Sequence, residues 1–176
     1  MKYILCWCFL SVLFLSSCAE VDSSALQKEK YEGPQVQAID VEIIYSDSAK
    51  VRVRLKAPLR IMWQTGNQDF PKGMTINFFN KKGENEARLT AQKGRYDKEK
   101  KRYTAMGDVV LVNLLRNEVL KTELLHWTPE TRDIFTDKFV TITTPRDIIK
   151  GTGLKAKQDL TSYRIDYPTG IVAVDK

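Results

Sequence analysis

The stretch Val51-Arg52-Val53-Arg54-Leu55-Lys56-Ala57 alternates apolar and basic residues without a break. Successive side chains of a strand point to opposite faces, so the pattern describes a β-strand with one buried face and one wet face. Met74-Thr75-Ile76-Asn77-Phe78 repeats it. Further short segments of this kind follow at 86–92, 102–106, 109–113, 119–125, 133–136, 138–143, 148–150, 153–157, 162–167 and 171–174. Strands so short and so regularly spaced predict an all-β sandwich, barrel or roll. Nothing after residue 40 carries a helical period.

The strand tract also repeats. Slid against itself by 31 residues, the chain places Tyr96 on Trp127, Tyr103 on Ile134, Val109 on Val140 and Leu111 on Ile142. A third, partial copy begins near Gly151-Thr152-Gly153-Leu154. Each unit is a strand, a charged turn and a returning strand. Hairpins that cannot bury their own apolar faces stack into a continuous core. Gly94, Gly107, Gly151 and Gly153 punctuate the strands, where glycine marks a bulge or a close backbone approach. At Gly107 the choice lies between a bulge, which would turn Val109 inward, and an ordinary tight turn.

The first residues set the compartment. Lys2 precedes an almost entirely apolar run over 3–15, and Leu15-Ser16-Ser17-Cys18 then brings two small residues before a cysteine. This reads as a secretory signal. The run of about 13 residues falls short of the roughly 20 that span a bilayer as a helix. The tetrapeptide resembles the lipobox of bacterial lipoproteins, in which the cysteine is lipidated and becomes the mature N-terminus. The expected organisation is therefore a signal peptide at 1–17, a tether at 18–38 that contains Gly33-Pro34, and one β domain at 39–176.

Composition removes several function classes. Cys6 and Cys8 leave with the signal and Cys18 carries lipid, so the mature domain keeps no free thiol. With His126 the single histidine, a disulfide framework, a cysteine nucleophile and a multi-histidine metal site are all excluded. No phosphate loop, nucleophile elbow or metal motif is present, so neither catalysis nor a cofactor is expected. His126 itself reads as a half-buried strand residue. The net charge of +6 suits anionic partners, a solvated basic surface accounts for it equally, and export argues against nucleic acid. Basic clusters stand at Lys81-Lys82, at Lys98 with Lys100-Lys101-Arg102, and at Lys155 with Lys157. They serve either as charged hairpin tips that block edge aggregation or as cations for lipid phosphates.

Four stretches together carry a resemblance to a known family: residues 89–97 (Leu-Thr-Ala-Gln-Lys-Gly-Arg-Tyr-Asp), Met106-Gly107-Asp108-Val109, residues 120–127 followed by Phe135-Thr136-Asp137-Lys138, and residues 150–156. In order and spacing they resemble the LptC family, the membrane-anchored periplasmic component of lipopolysaccharide export, over roughly residues 39–170. The lipobox departs from the uncleaved transmembrane helix of the best-known members. The resemblance implies an open β-jellyroll, or β-taco, of repeated antiparallel hairpins. It also implies a non-enzymatic role. Lipopolysaccharide arrives from the permeases of an inner-membrane ABC transporter and passes to a periplasmic bridge protein, LptA or an equivalent. The implied location is periplasmic, held to a membrane by the lipid anchor, with the inner membrane favoured.

A carrier must hide acyl chains. Exposing about a dozen methylenes would cost around 10 kcal/mol, so a long apolar trough is needed rather than a small pocket. Alternation assigns Val53, Leu55, Ile76, Phe78, Leu89, Ala91, Val109, Leu111, Val140 and Ile142, with Leu154 and Ile165, to one interior face. A closed sandwich core requires the same face, and a structural lipoprotein that only scaffolds partners is the alternative. Only the resemblance favours the trough. Ile171-Val172-Ala173-Val174, uncharged and largely β-branched, reads as an edge that docks the bridge protein. The opposite edge, at 39–45 or 51–57, is expected to face the transporter.

Overall fold

The computed structural model describes residues 31–173. Among these residues, eleven strands form one antiparallel sheet: β1 Val36–Asp47, β2 Lys50–Met62, β3 Gln68–Phe70, β4 Met74–Phe79, β5 Asn85–Ala91, β6 Lys93–Asp97, β7 Arg102–Asn113, β8 Glu118–Thr128, β9 Asp133–Thr143, β10 Asp147–Lys157 and β11 Tyr163–Ala173. β1 starts at Val36 and thus takes up residues that the sequence assigned to the tether.

The register shows a simple meander of long strands, each bent near its middle. β2 pairs with β4 through Val53–Lys56 and with β3 through Ile61 and Met62. β7 pairs with β5 through Val110–Asn113 and with β6 through Arg102–Met106. β3 and β4 therefore act as two halves of one broken strand, and β5 and β6 as two halves of the next. A line of irregularities crosses the sheet where the strands bend. It runs through Asp40, Gly73, Gly107–Asp108 and Gly153, all with positive φ, and through register breaks between Met106 and Val109, Thr122 and His126, and Thr152 and Leu154. Bulges increase local twist and bend a strand. Aligned across neighbours, they crease the whole sheet.

The crease divides the sheet into two leaves. Leaf A holds β4, β5 and the halves of the long strands that pair with them, such as Val109–Asn113. Leaf B holds β3, β6 and the other halves, such as Arg102–Met106. The leaves face each other: Phe78 of leaf A meets Trp127 of leaf B edge-on at 5.1 Å between ring centroids. This is the taco form of an all-β roll. The 31-residue repeat of the sequence corresponds to one down-and-up pair of bent strands, which explains why it aligns Val109 with Val140 and Leu111 with Ile142 at like positions of leaf A.

Candidate functional site

The interior between the leaves is one apolar cluster that runs across the strands from β2 to β10. Of the twelve residues assigned to the interior face, Val53, Leu55, Ile76, Phe78, Leu89, Val109, Leu111, Val140 and Ile142 lie in it buried, Val53 at 6% exposure and the others at 1% or less. Leu154 joins them, and Ile165 packs against the cluster. Ala91 is half-buried; it touches the same core but also lines a hollow of about 630 Å³ beside Gly73 at the crease. The two largest interior side chains, Trp127 and Tyr103, were not on the sequence's list, and the buried Phe70, Leu125 and Ile134 were also missed. All five come from leaf B, where runs of alternation are shorter and the pattern is harder to read. The interior is filled by these side chains.

Opposite the crease, the hairpin turns of the two leaves approach each other and form a mouth. Two polar ties cross it. The Tyr45 and Tyr103 hydroxyls share a hydrogen bond of 2.6 Å. Burial, and then this bond, hold the Tyr103 hydroxyl well above the usual phenol range, so it stays protonated. Farther along, Asn113 Nδ2 donates to the Asp159 carbonyl, while its Oδ1 accepts from the amides of Leu115 and Arg116. Asn113 thus shapes the β7–β8 turn and fastens it to the β10–β11 turn. In that second turn Leu160, at positive φ, is wholly buried and caps the interior. Trp127 Nε1 donates to Gln158 Oε1 at 3.0 Å and holds the same turn from beneath.

Between the Tyr45 tie and the β8–β9 turn the mouth keeps a cleft of about 660 Å³. Arg52 lines it, and this corrects the sequence reading. Strict alternation puts Arg52 on the outer face with Arg54. In the structure the β1–β2 register slips between Tyr45 and Ser46, leaving Arg52 as the extra residue of a bulge, with its side chain only 16% exposed. Glu86 is the extra residue of a second bulge, opposite Phe78 and Phe79. Alternation alone cannot register a one-residue insertion in one strand of a pair.

The family described as "Lipopolysaccharide-assembly, LptC-related" matches residues 3–165 of the 176. The chain belongs to the LptC family. It is therefore a component of lipopolysaccharide transport in the periplasmic envelope, from a family of transport components rather than enzymes. No curated protein matches the chain.

The sequence also singled out the two edges of the sheet. β11 pairs only with β10 among the described residues, with Ile149 opposite Ile171 and Ile148 opposite Val172. Residues 171–173 thus lie on an edge strand; Val174 falls outside the described residues, as does Cys18. At the other side β1 is the edge. Residues 51–57, the alternative edge, are enclosed between β1 and β4. β1 exposes Ile39 and Ile44.

The four glycines that punctuate the strands differ in their surroundings. Gly107 (φ +75°) and Asp108 form a bulge rather than a turn, and Val109 beyond it points inward at 1% exposure. Gly151 serves a close approach: a Cβ there would run into the Ile165 side chain and the Tyr167 and Pro168 backbone of β11. Gly94 packs under the Met74 side chain, and Gly153 lies on the crease. His126 is half-buried on the outer face of leaf B, bonded to Thr104 Oγ1 at 3.0 Å and tilted on Phe135. Burial, and then Arg102, push its imidazole below the usual range, so it is neutral at pH 7.

Proposed function

We propose that this LptC-family protein receives lipopolysaccharide from the permeases of the inner-membrane ABC transporter and passes it to the periplasmic bridge protein, LptA or an equivalent. Lipid A acyl chains travel between the two leaves. The protein is tethered through a lipidated Cys18, after removal of residues 1–17, with the inner membrane as its location. One observation carries this reading: a continuous apolar layer crosses the sheet between two edge strands, β1 and β11, each with a single partner strand among the described residues. A lipid handed from one β module to the next needs such a layer, open in principle at both ends.

The layer is filled by its own side chains, so loading requires the leaves to part about the crease. Magnitudes make this feasible. The two polar ties across the mouth, Tyr45–Tyr103 and Asn113–Asp159, are each worth about 1 kcal/mol net. One acyl chain of about a dozen methylenes gains around 10 kcal/mol on leaving water and replaces the contacts that the separated leaves give up. The crease residues with positive φ supply the bend about which the leaves turn.

A second reading, a scaffold with a permanently closed core, is favoured by the near-zero exposure of the interior and by the Leu160 cap. Extraction of the purified protein separates the two. The carrier reading expects lipid A to co-purify from cells and to be lost when Phe78 is replaced by a charged residue in a still-folded variant. A lipid-free protein after gentle, detergent-free purification would favour the scaffold.

A further inference from the structure

The mouth cleft has features that a closed core or a bare trough does not need. Arg52, Lys98, Lys101 and Arg132 line it, against only Asp47 and Glu130. Lys101 is taken up by Glu130 at 2.8 Å. Arg52 is not matched in the same way: Asp47 lies 3.8 Å from its Nε, beyond hydrogen-bonding distance, and that Nε is buried without a partner. A buried donor left unmet is costly, and the bulge places this one beside the cleft. Glu86 lies within electrostatic reach of Arg132 and Arg52 and offsets part of their charge; burial, and then Asp159, hold its carboxyl above the usual range.

The wall of the cleft changes character with depth. Tyr45, Phe79 and Tyr96 line it beside the cations, and Val53, a member of the buried core, is at its floor. Cations at the rim and an apolar floor that continues into the interior match an amphiphile that carries an anionic head and a hydrocarbon tail. A phosphate suits the head best, because guanidinium and ammonium groups supply several donors to its three oxygens.

We propose that this cleft is the head-group site of the protein, in which Arg52, with Lys98 and Arg132, holds a phosphate of a phosphorylated glycolipid while its acyl chains enter past Tyr45. The assignment rests on the reading that the interior carries acyl chains. It adds which part of the ligand is recognised, and where.

The test uses the full-length chain and three probes: diphosphorylated lipid A, the same lipid dephosphorylated, and inorganic phosphate. Wild type should bind the phosphorylated lipid at least tenfold more tightly than the dephosphorylated one. Arg52→Gln should abolish most of that difference, leave binding of the dephosphorylated lipid unchanged, and weaken the salt dependence. Arg132→Gln provides an independent second variant if Arg52→Gln alters the melting temperature. Equal binding of the two lipids by wild type, or a retained preference in both variants, would overturn the site. Competition by inorganic phosphate below millimolar concentration would make it a free-anion site and overturn the head-group assignment. A photo-crosslinker at Phe78 in the chain with an intact cleft reports separately on the acyl path. Its failure to label with either lipid would strike the carrier reading, whatever the cleft does.

Discussion

Replacing Trp127 by alanine is expected to cost about 3–5 kcal/mol of stability and to lower the melting midpoint by roughly 10 °C or more. Trp127 is 1% exposed and holds three parts of the structure together. Its ring meets Phe78 of the facing leaf at 5.1 Å and Tyr103 of the neighbouring strand at 5.2 Å. Its Nε1 fixes Gln158, and with it the turn that presents Leu160. Truncation leaves a cavity between the leaves, orphans a buried amide and loosens the cap in one step. Phe139→Ala, at a site 51% exposed, is the comparison and should cost under about 1 kcal/mol. Thermal unfolding followed by circular dichroism decides between them. Similar, small losses in both variants would mean that the leaves do not pack on each other through Trp127.

The second large effect is expected at the β11 edge. Neighbouring residues of an edge strand direct their N–H groups alternately to the paired strand and to the open side. Of Ile171→Pro and Val172→Pro, therefore, one removes a donor to β10 and the other a donor that an incoming strand would use. The latter is expected to reduce binding of the bridge protein at least tenfold with melting temperature nearly unchanged, and the former to loosen β11 as well. Transporter binding, assigned to the β1 side, should persist in both. Pull-down against each partner, with circular dichroism as the folding control, measures this. Full bridge binding in both folded variants would place the docking surface elsewhere.

How much of this was legible in the sequence depended on where the backbone is regular. Val51–Ala57 and Met74–Phe78 alternate through leaf A, and Leu55, Ile76 and Phe78 fell on the interior face as alternation required. At the crease the pattern breaks. Residues 102–106 and 109–113 read as two strands because Gly107 and Asp108 insert a bulge, yet they form the single β7. The same holds for β9, β10 and β11, each read as two pieces. The breaks in the sequence were thus the fold's central feature, taken for its punctuation. The mouth was less legible still. Arg52 belongs to an unbroken apolar–basic alternation and leaves it only because β1 slips by one residue opposite. The Tyr45–Tyr103 tie joins residues 58 positions apart, which no local pattern records. The β11 edge was readable because it needed only an uncharged, β-branched run, and the β1 edge was left as one of two choices because both candidates alternate.

Passage of acyl chains between the leaves is open to site-specific photo-crosslinking in cells. Probes at Phe78, Leu89, Val109 and Ile142 sit in the interior. Probes at Arg54, paired with Glu42 at 3.0 Å, and at Asn77, bonded to Arg88, sit on the outer face of leaf A and serve as controls. Arg52 is unsuitable as a control because its bulge turns it into the mouth. Lipopolysaccharide adducts are expected at the four interior positions and at neither control. Equal labelling of the two sets, or labelling of the outer face alone, would contradict it.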